Sequence, residues 1–139
     1  MPIGRVSGRP ESIKVAVIDP DSEWSEMLAN DLGKRIGATV VTMNSSLGLE
    51  SVIGGCHVLV LGRAADPALT LLHQIRSRYD ERQLPIIYAD RSEEDGSEEY
   101  ADEQQIQATR AGANAVFDRS MHANDFGLME KLVYSLACE

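Results

Sequence analysis

The sequence is poor in cysteine and in basic residues. Its two cysteines, Cys56 and Cys138, form no Cys-x-x-Cys pair, and its three histidines are scattered, so neither a metal centre nor a disulfide framework is predicted. Two reduced thiols in a cytoplasmic protein are expected instead. Only 13 Lys and Arg residues stand against 22 acidic residues, and the net charge of −9 disfavours nucleic acid and anionic membranes as direct partners.

Long apolar segments are also missing. No run approaches the ~20 apolar residues that a membrane-spanning helix needs. Residues 1–12 contain two arginines, two glycines and two prolines but no apolar core of a secretory signal, and a flexible leader is expected there. Residues 13–139 are expected to form one domain, because a chain of 139 residues with 43% apolar residues can bury a sufficient core.

Five short apolar runs alternate with amphipathic stretches. The runs are rich in β-branched residues and predict buried strands at residues 13–18, 38–43, 57–61, 86–89 and 115–117. Between them, apolar residues recur at three- and four-residue steps, which is the pattern of one helix face. Consecutive strand–helix units predict an α/β fold with a doubly wound, five-stranded parallel sheet of the flavodoxin type, in the strand order 2-1-3-4-5.

Folds of this type place their functional sites at the carboxyl ends of the strands. In this sequence those positions hold Asp19, Pro20, Asp21, Gly62, Ala89, Asp90, Asp118 and Arg119. No glycine-rich loop follows the first strand, and its acidic residues would repel phosphate, so a flavin or nucleotide site is poorly supported.

Four blocks of this pattern resemble response-regulator receiver domains, the CheY-like family. They are a strand that ends in acids (Lys14–Asp21), a third helix (Leu69–Arg76), a fourth strand (Leu84–Ile87) and the segment around a fifth strand (Ala111–Ser120). The resemblance covers about Ile13–Leu136. It implies the fold given above, a role in bacterial two-component signalling, and a site where an aspartate accepts a phosphoryl group with the help of Mg²⁺.

The residues of that site match the family poorly. The matching positions hold Asp19 and Pro20 for two acids, Gly62 for the phosphorylated aspartate, Ala89 or Asp90 for a Thr/Ser, and Arg119 for a lysine. Glycine has no side chain to accept a phosphoryl group, and proline offers no oxygen ligand to Mg²⁺. The sequence therefore predicts a degenerate receiver, a pseudo-receiver that is not phosphorylated at this site and needs no metal or other cofactor.

Some acids near this site have competing interpretations. Asp21 is expected to cap a helix rather than to bind metal. For Arg119, an ion pair with Asp19 and a solvated side chain are equally open. Asp66 is a candidate for a displaced phosphoacceptor, although an Asp-Pro turn is favoured at that position.

A protein partner is expected on the face formed by the fourth helix, the fifth strand and the fifth helix, where receiver domains bind partners or a second copy of themselves. The stretch of residues 90–105 is strongly acidic, and it is either a solvated loop or a docking surface for a basic partner. The candidate partner residues are Glu98, Glu99, Tyr100, Ile106, Arg110, Met121, His122 and Phe126.

The sequence thus predicts a phosphorylation-independent pseudo-receiver that acts in bacterial signalling or protein localisation through protein–protein contacts. One alternative is a regulatory domain that binds a small ligand at the carboxyl edge of the sheet, where Gly62 makes room. Another is a receiver that is phosphorylated at a displaced aspartate. An enzyme is disfavoured, because no Ser-His-Asp, Cys-His or metal-ligand set converges on the strand ends and His57 is expected to be structural.

Overall fold

The computed structural model describes residues 13–43, 49–62, 68–90, 106–118 and 126–138. Strands and helices alternate along these ranges, in the order β1 Lys14–Ile18, α1 Ser22–Ile36, β2 Thr39–Met43, α2 Leu49–Ile53, β3 Val58–Gly62, α3 Ala68–Arg76, β4 Ile86–Asp90, α4 with residues 106–110, β5 Ala115–Asp118 and α5 Gly127–Ala137. The predicted leader, residues 1–12, lies outside the described residues, as do residues 91–105. Among the helices described, none is both long and apolar enough to cross a bilayer.

The strands form one parallel sheet in the order β2-β1-β3-β4-β5. The predicted doubly wound α/β fold and its strand order are therefore confirmed. The central strands β1 and β3 are almost wholly buried, since helices cover both faces of the sheet. This burial explains why both strands are continuous apolar runs rather than alternating ones.

Side chains of the central strands alternate between two apolar clusters, one on each face of the sheet. On the face covered by α1 and α5, the core includes Trp24, Leu28, Leu32, Val60, Phe117, Met129 and Val133. On the opposite face it includes Leu49, Ile53, Leu59, Leu61, Leu72, Ile75 and Tyr88. The two faces are filled by different helices, so the central strands β1 and β3 are apolar on both sides.

Helix α1 has a defined cap at each end. The side chain of Asp21 accepts a hydrogen bond from the backbone N–H of Trp24, which is the helix-capping role expected for this residue. Gly37 ends the helix with a φ of +66°, a left-handed conformation that costs glycine little, and its N–H donates to the carbonyl of Leu32. These caps fix where the chain leaves β1 and where it enters β2.

At the amino edge of the sheet, Arg76 joins the end of α3 to two loops. Its Nε donates to the carbonyl of Gly112 at 2.8 Å, and Nη2 donates to Oδ1 of Asn114 at 2.8 Å. Its Nη1 contacts the carbonyl oxygens of three further residues, Tyr79, Asp80 and Leu84. Asn114 Oδ1 also accepts from the N–H of Ile86 at the start of β4. Burial lowers the pKa of Arg76, but the guanidinium donors are directed at acceptors that compensate for lost water.

His57 lies at the same edge, just before β3. Its Nδ1 accepts a hydrogen bond from the backbone N–H of Lys14 at 2.9 Å. The side chain therefore satisfies a backbone donor at the start of β1, which is the structural role expected from the sequence.

Candidate functional site at the carboxyl ends of the strands

The strand register brings the predicted site residues into one row. Ile18 pairs with Leu61, so the next residues along the two strands, Asp19 and Gly62, lie side by side. Gly62 in turn pairs with Ala89 of β4. The carboxyl ends of β1, β3 and β4 thus meet at one edge, as the sequence predicts for a site in this fold.

Asp19 fills the place where residue 62 would carry a side chain. A Cβ on Gly62 would overlap Oδ2 of Asp19, and it would lie 2.6 Å from Cγ and 3.0 Å from Cβ of that residue. Asp19 is itself only 1% exposed. The φ of Gly62 is not positive, so the glycine is needed here because of the close approach of a carboxylate and not because of backbone strain.

The two acids after β1 are used to shape the turn into α1. Oδ1 of Asp19 accepts a hydrogen bond from the backbone N–H of Asp21 at 2.8 Å. Asp21 then caps α1 through Trp24 N–H at 3.1 Å. Both carboxylates accept backbone hydrogen bonds, and no group of three or more metal-ligating side chains comes together in the described part of the chain.

The other predicted site residues contribute little to a pocket. Pro20 is exposed, and Ala89 is buried with 1% of its surface accessible. Asp90 is the last residue of β4 and pairs with Asp118. Arg119 and Asp66 lie outside the described residues, so the alternatives given for these two residues stay open.

Solved structures with the same fold cover nearly the whole chain. HP1043, an orphan response regulator of H. pylori, is 12% identical with a TM-score of 0.70, over 91% of this chain and 97% of that one. The signal receiver domain of a DNA-binding response regulator from Colwellia psychrerythraea is 17% identical with a TM-score of 0.72, over 92% and 100% of the two chains. The fold is that of a response-regulator receiver domain.

A third structure with the receiver fold carries the modification that is at issue here. A response regulator from Burkholderia pseudomallei, described with a phosphorylated aspartic acid, a calcium ion and citrate, is 16% identical with a TM-score of 0.60, over 78% of this chain and 60% of that one. No protein-family model and no curated protein matches the sequence itself.

The candidate partner face of the receiver fold is only partly exposed. On α4, Ile106 is 52% exposed and Arg110 is exposed too, as expected for contact residues. Phe126 is the third candidate contact among the described residues, and its prediction as an exposed contact is wrong because it is buried. Glu98, Glu99, Tyr100, Met121 and His122 lie outside the described residues.

Phe126 belongs to the core. It is only 9% exposed, and its ring meets that of Trp24 edge-on, with 6.4 Å between the centroids and 60° between the planes. Burial of two large aromatic rings against each other stabilises the junction of α1 with the start of α5. Phe126 therefore cannot present its side chain to a partner.

Two features of this receiver fold were missed from the sequence. Leu128 is 37% exposed and was not among the candidate contacts, although it lies on α5, a helix of the predicted partner face. The fit of Asp19 against Gly62 was also missed. A signal for this fit is present in the sequence: Gly62 has no side chain at the end of β3, and Asp19 follows the neighbouring strand β1 at the same position along the sheet.

Proposed function

We propose that this protein is a pseudo-receiver that works without phosphorylation and acts in bacterial signal transduction or protein localisation through protein–protein contacts. The fold supports this assignment, since several solved structures that share it are named as response regulators or their receiver domains. On this proposal the protein is cytoplasmic, needs no cofactor and is not an enzyme, and residues 13–139 form its one domain.

The observation that carries the proposal is the packing of Asp19 against Gly62. An aspartyl phosphate needs a carboxylate that a phosphodonor can approach and a cation to neutralise the incoming charge. Here the acceptor position is glycine, and the space beside it holds a buried carboxylate that accepts a backbone hydrogen bond. On this proposal, the carboxylate of Asp19 stabilises the turn after β1 and takes no part in phosphoryl transfer.

The same packing weakens the other interpretations. A small ligand would need the space that Gly62 leaves free, but Asp19 takes up that space. A displaced acceptor, such as Asp66, would still need a cation and a positioned phosphodonor, and the two acids after β1 are engaged by backbone donors instead. Neither alternative gains support from a described contact.

The partner surface in this proposal is the face of α4, β5 and α5. Ile106 and Tyr134 are large side chains exposed on two of these elements, and Arg110 adds a charge. Large apolar and aromatic side chains supply most of the energy at protein interfaces. The acidic stretch at residues 90–105 precedes α4 and would attract a basic partner to this face. A second copy of the chain is the alternative occupant.

Affinity capture with matched variants tests this function. The wild-type chain, Ile106→Arg and Met27→Arg are used as baits in lysate of the source cells, each with and without acetyl phosphate. Met27 is a suitable control because it is 44% exposed on α1, which is not one of the three elements of the proposed face. We expect one partner to bind wild type and Met27→Arg equally with or without acetyl phosphate, and to be lost from Ile106→Arg. A partner that binds only after acetyl phosphate treatment, or that binds Ile106→Arg fully, would contradict the proposal.

A further inference from the structure

Strand β2 is a terminal strand whose outer backbone groups follow a defined pattern. Thr39 donates to the carbonyl of Ile13 at 2.8 Å, and the carbonyl of Met43 accepts from Asp19 at 2.9 Å. In a parallel ladder, bonding to one neighbour alternates along the strand. Thr39, Val41 and Met43 therefore bond to β1, while the backbone N–H and C=O groups of Val40 and Thr42 are directed to the outer side. In the described part of the chain, β2 has a neighbour on one side only.

The composition of β2 leaves this edge open to pairing. Its sequence Thr-Val-Val-Thr-Met has no charge, no proline and no glycine, which are the usual devices that block edge-to-edge contact. Val41 is 44% exposed, at the middle of the strand, and Thr39 and Thr42 are exposed as well. The other terminal strand, β5, is shorter, ends in an acid and has no exposed residue among those whose burial is described.

We propose that two copies of this chain pair through β2, antiparallel about a two-fold axis at Val41, and form one continuous ten-stranded sheet. In this register Val40 faces Thr42 of the second copy, and the reverse, and each pair exchanges two backbone hydrogen bonds. The two Val41 residues face each other as a non-hydrogen-bonded pair with Cα atoms about 4.5 Å apart, the closest pairing that antiparallel strands offer. Only this register pairs Val40 with Thr42 of the second copy and also places the exposed Val41 on the two-fold axis.

Charge favours a second copy at this edge in spite of the net charge of −9. Helix α1 lies against β2 with acids in its first three turns and Lys34 and Arg35 in its last. The antiparallel arrangement brings the acidic part of each α1 alongside the basic end of the other.

The pairing goes beyond the proposed function and does not depend on it. β2 and β5 lie at opposite edges of the sheet, so a pair joined at β2 carries the two α4–β5–α5 faces at its two ends. Such a pair would bind a partner that has two sites more tightly than one copy does, without any new contact.

Sedimentation equilibrium on the full chain tests the pairing. A four-bond edge contact is small, so we expect a monomer–dimer equilibrium with a dissociation constant near ~100 µM. Val41→Lys sets two like charges opposite each other and should weaken association at least about tenfold, whereas Ile106→Lys, at least as exposed but on α4, should leave it unchanged. Both variants should keep the thermal unfolding midpoint of the wild type, because both sites are exposed.

Mixing two variants distinguishes this register from other contacts. Val41→Lys and Val41→Glu should each associate more weakly than wild type, and an equimolar mixture should recover dimerisation, because the axis places Lys directly opposite Glu. A wild-type chain that stays monomeric to about 1 mM, or a dimer that Val41→Lys leaves intact, would overturn the proposal. Dimerisation only after deletion of residues 1–12 would also overturn the proposal, because it would mean that these residues occupy the β2 edge of their own chain.

Discussion

The two edges of the sheet use charged side chains in different ways. At the amino edge, Arg76 extends from α3 to two loops and donates to four backbone carbonyls and one amide oxygen. At the carboxyl edge, the carboxylate of Asp19 lies against Gly62 and accepts from the backbone of Asp21. In folds of this type, functional sites lie at the carboxyl edge of the sheet and not at the amino edge.

At each edge, the charged side chains named above are paired with groups of the chain itself. A functional site usually keeps polar groups that its own chain leaves incompletely paired, so that a substrate or ion completes them. At the carboxyl edge, Asp19 and Asp21 complete the turn into α1 instead. These two carboxylates therefore have the same kind of structural role at the carboxyl edge as Arg76 has at the amino edge.

The largest effect is expected from breaking the amino edge. Arg76→Met should lower the free energy of unfolding by roughly 3 kcal/mol, since it removes the side-chain donor to several partly buried carbonyl oxygens and one of the two donors to Oδ1 of Asn114. Chemical denaturation of wild type, Arg76→Met and Arg78→Met measures this. Arg78 is exposed two residues further on, and its substitution should cost well under 1 kcal/mol. Equal losses for the two variants would show that Arg76 does not hold this edge.

A smaller effect is expected from breaking the carboxyl edge. Gly62→Ala should cost roughly 2 kcal/mol, because its Cβ overlaps the buried carboxylate of Asp19 and forces it to shift. Asp19→Ala should relieve the overlap, so the double variant should lose at least ~1 kcal/mol less than the sum of the two single losses. Denaturation of the four chains gives this coupling.

Gly33→Ala provides the control for the substitution itself. In α1 its Cβ would meet only the carbonyl oxygen of Ala38 at 3.6 Å, and alanine in a helix should raise stability slightly. Additive losses at positions 19 and 62 would contradict the packing of Asp19 against Gly62.

The smallest effect is expected at the amino edge, in the reactivity of the Cys56 thiol just before β3. Burial raises the pKa of the Cys56 thiol to about 11, and its Sγ contacts the carbonyl of Ile53 at 3.6 Å. At pH 8 we expect Cys138 to react first with a thiol reagent, as peptide mapping would show. Because the folded-state pKa is raised, this thiol favours the folded chain below about pH 9 and loses that effect as the pH rises toward 11. Faster labelling of Cys56 would contradict its burial.

The sequence carries enough information for the fold because the fold depends on local patterns. The continuous apolar runs specify strands covered on both faces, and residues such as Asp21 and Gly37 act on backbone groups a few residues away. The strand order follows from right-handed connections between successive units. Each of these inferences needs only neighbours along the chain.

The site depends on contacts between distant parts of the chain, and these were harder to predict. Phe126 is a large apolar residue just before a helix, and nothing in its neighbourhood reveals that Trp24 covers it. The loss of a side chain at position 62 was clear, but the burial of Asp19 in its place depends on a rotamer that only the packed strands define. Sequence reasoning found which residues meet at the carboxyl edge, but not how they fit together.

The most direct measurement of the central claim is the mass of the protein after incubation with acetyl phosphate and Mg²⁺. A receiver domain that keeps its acceptor aspartate, treated in parallel, should gain about 80 Da. We expect this chain to stay at its unmodified mass, because glycine stands at the position that we propose to match the acceptor, and the adjoining carboxylate of Asp19 is buried. A gain of about 80 Da that peptide mapping assigns to Asp19, Asp66 or any other aspartate would contradict the account.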